Sequence, residues 1–203
     1  VPPGVVPSLN RGFSAPVVIR YPYSDRDYTH LMAHDSDPTM RWEAGQQLAV
    51  RLMFAGVAAS GKPFEVPRSF IDAFARVLAD GAADPAFAAE ALTLPGEGYL
   101  SEQFDVADPD AIHATRRLVR RSLASALRTA LMRTYEALQV SGPYSPDAQS
   151  AGKRALRNLC LSYLMELDDS AIRALCVRQF DTADNMTDRI AALVALANCD
   201  CPE

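Results

Sequence analysis

Two histidines, His30 and His34, have the residue type and the spacing of a metal-binding pair. They stand four residues apart in HLMAH, within a segment predicted to be helical, so both imidazoles fall on one helical face. A helical H-E-x-x-H motif binds zinc with this spacing and uses its glutamate as a general base. Leu31 stands where that glutamate would be, and no downstream residue stands out as a third ligand. We therefore favour two surface histidines over a metal site.

The four cysteines of the sequence are of two kinds. Cys199 and Cys201 form a C-x-C pair near the end of the chain. A structural zinc site needs four ligands, and no second pair accompanies them, so we interpret both residues as free thiols. Cys160 and Cys176 fall on apolar helical stripes, which is typical of small core residues.

A basic cluster lies in the first half of the longest predicted helix and consists of Arg116, Arg117, Arg120 and Arg121. Guanidinium groups bind phosphates and carboxylates in a bidentate manner, so the cluster fits a phosphate or a peptide carboxylate. The favoured alternative is a solvated helix face that pairs with nearby acidic residues, namely Asp105, Asp108 or Asp110. His113, in the first turn of the same helix, has no partner that the sequence identifies.

A group of oxygen-bearing side chains precedes the last predicted helix and comprises Asp181, Asp184, Asn185 and Asp188. Their spacing is not that of a calcium loop, and the glycine of such a loop is missing. We predict instead that the Asx residues before Met186 cap the last helix. Asn185-Met186-Thr187 also matches a glycosylation sequon, which has no consequence in a cytoplasmic protein. The sequence thus offers no catalytic, cofactor-binding or metal residue that we would assign.

Composition limits the class of protein. The chain has 203 residues, 49% of them hydrophobic, and a formal net charge of −5. A general nucleic-acid-binding protein would carry a basic face instead. No apolar run reaches the ~18 residues of a membrane span, and no signal peptide is recognisable. We expect no nucleic-acid or membrane partner and a reducing cytoplasmic compartment.

Helical patterns fill the sequence from Ser24 onward, and the longest runs from Asp108 to Val140. Its apolar residues recur at helical spacing on two adjacent stripes, as expected for an inner helix of a layered structure. Asp-Pro or Ser-Pro pairs at 37, 84, 108 and 145 predict four helix starts. Short loops join eight or nine predicted helices, which indicates an all-α fold. An α-α superhelix of stacked antiparallel helices is favoured, and an irregular bundle is the alternative.

Residues 1–23 differ from the rest of the chain. Residues from Phe13 to Tyr21 alternate between apolar and other side chains, which predicts a β-strand, and Pro16 favours an edge position. No convincing second strand follows. Either the segment packs as an extended arm, or its sheet belongs to a preceding β-domain. We favour the second and predict an orphan strand.

Five stretches, taken in order along the chain, resemble the bacterial aminopeptidase N family of zinc metallopeptidases. They are SLNRGFSAPVVIRYPYSD (8–25), LMAHDSDPTMRWEAGQQLA (31–49), LSEQFDVADPDAIHATR (100–116), KRALRNLCLSYL (153–164) and QFDTADNMTDRIAAL (179–193). The first and last stretches are the most specific.

Members of that family have an N-terminal β-domain, a thermolysin-like catalytic domain, a small β-sandwich and a large C-terminal helical domain. The resemblance implies that residues 1–23 are the last strand of the sandwich and that 24–203 are the first part of the helical domain. The zinc ligands and the general base of the family lie in its catalytic domain, so no site residue is carried over to this chain. The implied function is that of a non-catalytic part of a zinc aminopeptidase, which covers the active site and shapes peptide access.

A free-standing helical-repeat scaffold that binds partner proteins remains the alternative function. The scaffold predicts a complete, capped stack of helices. In the fragment that the resemblance implies, no later helix covers the last one, so we expect its apolar side chains, among them Ile190, Leu193 and Leu196, to lie partly on an exposed face, which would count against the scaffold. Val17, Ile19 and Tyr21 should likewise lack a sheet. Unpaired edges and apolar patches favour association with another copy, so we predict self-association of this chain.

Overall fold

The computed structural model describes residues 4–59 and 62–199, and the regular structure in this part of the chain is helical. A short 3-10 helix, Arg11–Phe13, precedes the α-helices, which are α1 (Asp25–His34), α2 (Pro38–Ala58), α3 (Arg68–Asp80), α4 (Pro85–Ala91), α5 (Glu97–Ser101), α6 (Pro109–Ala137), α7 (Ala148–Leu164), α8 (Ser170–Thr182) and α9 (Met186–Ala197). The all-α prediction is confirmed. No helix within the described ranges has the length and apolar character needed to cross a membrane.

The predicted N-terminal strand does not form in the described residues. Residues 14–24 have no regular secondary structure, and their local hydrogen bonds, such as Val17 N to Ala15 O at 2.9 Å, join residues two apart. A strand is stabilised by a neighbouring strand, and an isolated segment has no ladder to join. Residues 7–23, here called the arm, therefore lead into α1 without a strand and consist of the short 3-10 helix and irregular chain.

Short polar side chains begin most of the helices, as the sequence predicts. Ser24 and Asp27 form a reciprocal capping box at α1, and Asp37 Oδ1 accepts from the Met40 amide at 2.9 Å at α2. Asp108 caps α6 in the same way, with 3.0 Å from its Oδ1 to the Ala111 amide. These caps satisfy amides that have no partner within the helix.

Two predicted helix ends need correction. The cap of α7 is Asp147 rather than Ser145, because its Oδ1 accepts from the Ser150 amide at 2.9 Å. The helix therefore begins at Ala148 instead of directly after the Ser-Pro pair. At the other end of the preceding loop, α6 stops at Ala137, three residues before the predicted Val140.

The chain divides into two compact units. Unit 1 comprises 1–77 and 90–116 and includes the arm, α1, α2 and α5. In unit 1, α1 packs along α2. The fully buried side chains of this unit include Met32, Met53, Phe74, Leu92 and Ile112. Gly56 of α2 allows a close approach, since a Cβ there would lie 2.3 Å from the Thr115 methyl carbon. A larger residue at Gly56 would force α2 away from the start of α6.

Unit 2 comprises 78–89 and 117–203 and includes α7, α8 and α9. Its core combines Leu123 and Leu131 of α6 with Leu156, Leu161 and Leu164 of α7. Helix α9 packs against both α7 and α8. A Cβ at Gly152 would meet the Ala86 Cβ at 3.0 Å, so α7 and α4 also pack closely.

Candidate functional site

The histidine pair lies on α1 with both rings exposed. The ring centroids of His30 and His34 are 5.3 Å apart, at an interplanar angle of 45°. Among residues 4–59 and 62–199, no three His, Cys, Asp or Glu side chains are grouped so that they could hold a metal ion. The structure therefore adds no third ligand to this pair. His113 has a partner that the sequence did not identify, because its Nδ1 lies 2.9 Å from Glu97 Oε1.

The cysteines are of two kinds, as expected, but one assignment is wrong. Cys160 and Cys176 are free and buried, and burial raises the pKa of their thiols to about 12 and about 11. Both are thus core residues without thiolate character at neutral pH. Cys199 is disulfide-bonded, which contradicts its interpretation as a free thiol. Cys201 lies outside the described residues.

The arginine cluster does not act as one site in either unit. In unit 1, Arg116 Nε donates to the carbonyl of Pro95 at 3.0 Å. In unit 2, Arg120 pairs with Glu166, donates to the Ser162 carbonyl at 2.8 Å, and stacks over the Tyr163 ring at 4.7 Å. The side chains of Arg120 and Glu166 are only 14% and 18% exposed.

Arg120 is therefore a structural residue that joins α6 to the end of α7. Its carboxylate partner is Glu166, not one of the three aspartates that the sequence suggested. The pairing could not be read from the sequence, because 46 residues separate the partners. Arg117 and Arg121 are exposed, as the solvated-face interpretation predicts.

Of the four oxygen-bearing residues near the start of α9, Asn185 is the helix cap. Asn185 Oδ1 accepts from the Asp188 amide at 2.9 Å, so the predicted capping role is confirmed for Asn185. Asp188 points inward, where its Oδ1 accepts from Asn158 Nδ2 at 2.8 Å. Asp181 lies on α8 and is exposed.

The densest polar arrangement in unit 2 is one that the sequence analysis missed. Tyr135 of α6 donates its hydroxyl to Gln179 Oε1 of α8 at 2.8 Å. Arg157 of α7 donates to that same Oε1 and to the Tyr135 hydroxyl, each at 2.8 Å. Both Tyr135 and Gln179 are buried. The three side chains close a triangle of hydrogen bonds between three helices.

The triangle continues toward α9. Gln179 Nε2 donates to Asn158 Oδ1 at 2.8 Å and to the Asp188 carbonyl at 3.0 Å. Asp188 Oδ2 lies 3.9 Å from Arg157 Nη1, so the buried positive charge faces a carboxylate. We call Tyr135, Arg157, Asn158, Gln179 and Asp188 the polar network. Only the Nε of Arg157 is buried here without a hydrogen-bond partner.

The polar network has the chemistry of a structural brace. Burial raises the pKa of Tyr135, although the Arg157 charge opposes this, so the phenol stays protonated and donates. The network offers no activated nucleophile and no general base with a free face. Buried polar groups whose hydrogen bonds are satisfied fix one helix arrangement over others. The sequence signal was weak, since the members are spread over four helices, α6 to α9.

Unit 2 also has an exposed apolar surface on α9. Four large side chains at helical spacing are 49–69% exposed, namely Met186, Ile190, Leu193 and Val194. The predicted exposure of Ile190 and Leu193 is confirmed, and Leu196 is partly exposed. A shallow, open groove of about 380 Å³ runs along α8 and is lined by Ser170, Ala174, Val177, Arg178, Asp181 and Thr182.

Comparison with known proteins finds relatives that share one name. The chain is 39% identical to aminopeptidase N of Escherichia coli (strain K12), over 97% of this chain and 23% of that protein. It is 41% identical to aminopeptidase N of Caulobacter vibrioides, over 95% of this chain and 22% of that protein. The chain thus spans less than a quarter of the length of the curated relatives it matches.

A solved structure and a family profile agree with these relatives. The crystal structure of Legionella pneumophila aminopeptidase A in complex with aspartic acid matches with a TM-score of 0.80 and 32% identity, covering 95% of this chain and 23% of that one. Residues 25–203 match the profile described as a domain of unknown function (DUF3458_C) with ARM repeats. The resemblance to bacterial aminopeptidase N is confirmed, and the chain belongs to the DUF3458_C family of ARM-repeat domains.

Proposed function

We propose that this chain is a non-catalytic helical portion of a zinc aminopeptidase that removes N-terminal residues from peptides. The observation that carries the proposal is the similarity to aminopeptidase N over 97% of this chain but only 23% of the relative. The chain would cover the active site of the parent protein and shape the access of peptides to it. That length relationship favours this function over a free-standing scaffold.

The described side chains support a scaffolding role. They include no grouping of three potential metal ligands, so the described part of the chain does not fit the zinc ion of the parent. The zinc and the peptide-cleaving groups would come from another part of the parent. The buried pairs and the polar network hold helices together. A zinc aminopeptidase of this kind would act on peptides in the cytoplasm.

The arm supports the proposed domain boundary. Val17, Val18 and Ile19 are 56%, 88% and 39% exposed, which is unusual for three neighbouring β-branched residues. In the parent, residues 1–23 would form the last strand of a β-sandwich, and 24–203 would begin the helical domain. A sheet would bury these side chains and supply the missing ladder partners.

The helices of 24–203 would stack as an α-α superhelix in the parent protein. ARM repeats bury each layer against its neighbours, so an interior layer that lacks a neighbour shows apolar surface. The exposed α9 side chains fit such a layer, and in this chain alone they would favour self-association.

The upstream reading frame of the source gene tests the parent assignment. It should encode H-E-x-x-H followed by a glutamate ligand. A natural start codon directly before Val1 would contradict the proposal.

The isolated chain provides a biochemical test. It should neither hydrolyse an aminoacyl-anilide nor retain stoichiometric zinc, because its described residues have no ligand set. Chelator-sensitive hydrolysis that is lost in His30→Ala or His34→Ala would contradict the proposal and would make HLMAH a site.

A further inference from the structure

The turn at the start of the arm has an unusual backbone. Asn10, Gly12 and Phe13 have φ values of 53°, 62° and 49°, all in the left-handed region. Glycine adopts this region readily, but a bulky aromatic residue there is a genuine outlier. Such strain persists only where surrounding contacts determine the conformation. Phe13 is 63% exposed, so packing of its own ring does not supply those contacts.

Part of the constraint comes from within the turn. Asn10 Oδ1 accepts from the Ala15 amide at 3.0 Å, and Asn10 Nδ2 donates to the Ala15 carbonyl at 3.0 Å. The side chain of Asn10 thereby closes the turn in the manner of a short strand pair. An asparagine tolerates left-handed φ better than most residues, which suits this position.

The rest of the constraint comes from the junction between α1 and α2. Arg11 Nη1 donates to Asp35 Oδ1 at 2.9 Å, and Arg11 Nη2 donates to the Ser36 hydroxyl at 2.8 Å. The Asp35 side chain is only 3% exposed, whereas that of Arg11 is 48% exposed. A largely buried carboxylate thus draws an arm residue onto the helical junction.

A second tie uses the carboxylate that begins α2. Asp37 Oδ2 accepts from the Gly12 amide at 2.8 Å, while its Oδ1 caps the Met40 amide at 2.9 Å. The Asp37 amide in turn donates to Asp35 Oδ1 at 2.8 Å. The end of α1, the start of α2 and the arm therefore meet at two carboxylates.

Tyr23 secures the other end of the arm. It is buried, and its hydroxyl donates to the Pro7 carbonyl at 2.7 Å. Arg51 of α2 donates to the Tyr23 carbonyl at 3.0 Å and to Asp25 Oδ1 at 2.9 Å. The exposed residues 17–19 are thereby held between two anchored points.

We propose that Arg11, Gly12, Asp35 and Asp37 form an arm latch, which fixes the course of the arm across the α1–α2 junction and so positions whatever precedes the helical domain. This inference rests on the proposed function, in which the arm enters a β-sandwich. The four residues are positioning residues. They hold the exposed segment 17–19 in a fixed direction, ready for pairing with a sheet.

Asp37→Asn should remove the bond of Asp37 to the arm and keep its role as helix cap. Asparagine is as good an N-cap as aspartate, so one amide oxygen can still serve Met40. The other group becomes NH₂, which cannot accept from the Gly12 amide. Arg11→Ala removes the other tie, which joins Arg11 to Asp35 and Ser36. Arg20→Ala is the matched control, because Arg20 is an exposed arginine of the same arm.

The readouts on the 203-residue chain are amide hydrogen exchange at Gly12 and Met40 and cleavage by chymotrypsin after Phe13. We expect Gly12 exchange and Phe13 cleavage to rise about tenfold in Asp37→Asn and Arg11→Ala, with Met40 exchange unchanged. In Arg20→Ala both should match the unmodified chain. Equal Gly12 exchange in all four proteins would overturn the latch. Because the test uses this chain alone, its failure is distinct from a failure of the parent assignment.

Discussion

The guanidinium carbon of Arg157 lies 4.2 Å from the centre of the Tyr135 ring, while Nη2 of the same arginine donates to the Tyr135 hydroxyl at 2.8 Å. One tyrosine thus receives the cation on its face and a hydrogen bond at its edge. In a buried setting both contacts are stronger than they would be in water.

Tyr135→Phe tests the polar network. The ring remains, but Arg157 Nη2 loses its acceptor, and Gln179 Oε1 keeps only the bond from Arg157 Nη1. We expect a loss of about 1–3 kcal/mol in the free energy of unfolding, measured by urea titration. Tyr99→Phe is the matched control, because Tyr99 is 50% exposed, and it should change stability by under about 0.5 kcal/mol. Equal stability of the two variants would contradict a bracing role.

Arg120→Ala tests the link between α6 and α7. The substitution leaves Glu166 and the Ser162 carbonyl without their donor in a largely buried place. We expect a loss of about 2 kcal/mol in the free energy of unfolding. Arg121→Ala removes an exposed neighbour of the same type and should cost under about 0.5 kcal/mol. If both variants lose the same free energy of unfolding, Arg120 belongs to a solvated face and not to a structural contact.

Asp35 should make the stability of unit 1 depend on pH. Burial raises its pKa, but hydrogen bonds from Ser8 and from the Asp37 amide, together with the Arg11 charge, outweigh burial and leave the pKa below its ordinary value. A carboxyl with a lowered folded-state pKa stabilises the fold above its unfolded pKa of about 4. That contribution is lost as the pH falls through the folded-state pKa.

The measurement is the free energy of unfolding as a function of pH for the unmodified chain and Asp35→Asn. The unmodified chain should be the more stable near neutral pH, and the difference should shrink as the pH falls below about 4. Other aspartates titrate in both proteins, so the difference isolates Asp35. A difference that stays constant with pH would show that the charge of Asp35 is not what matters.

Leu193→Glu tests the apolar surface of α9. Leu193 is 49% exposed, and a charge there opposes burial against a second copy. Light scattering across a concentration series should show association of the unmodified chain, with the dissociation constant raised at least about tenfold in the variant. Val106→Glu is the control, because Val106 is 88% exposed and lies outside α9. A monomeric mass at every concentration in all three proteins would exclude self-association.

Local chemistry could be read from the sequence, and contacts between distant residues could not. Ser24, Asp37, Asp108 and Asn185 were predictable as caps, because a cap and its amide lie within three residues of each other. Asp147 was missed because Ser145 also offers a capping oxygen just before it. The Tyr135–Gln179 bond spans 44 residues and depends on how α6 and α8 pack.

The wrong strand prediction also comes from a long-range contact, in this case one that is absent from the described residues. The alternation of apolar and other side chains from Phe13 to Tyr21 is typical of a strand, but a strand forms only where a neighbouring strand pairs with it. The structure of this chain has none in its described residues, so the segment is held by Arg11 and Tyr23 instead. Pattern gives the preference of a segment, and tertiary context decides its state.

Cys160 and Cys176 give unit 2 a built-in reporter of opening. Both thiols are buried, and with pKa values of about 12 and about 11 they are almost entirely protonated at neutral pH. Thiolates, not thiols, react with alkylating agents and oxidants, so these residues are shielded both sterically and chemically in the folded state. The rate at which Cys160 and Cys176 are modified therefore depends on how often α7 or α8 opens locally from its neighbours. Oxidation of these two thiols would follow local unfolding and would not initiate it.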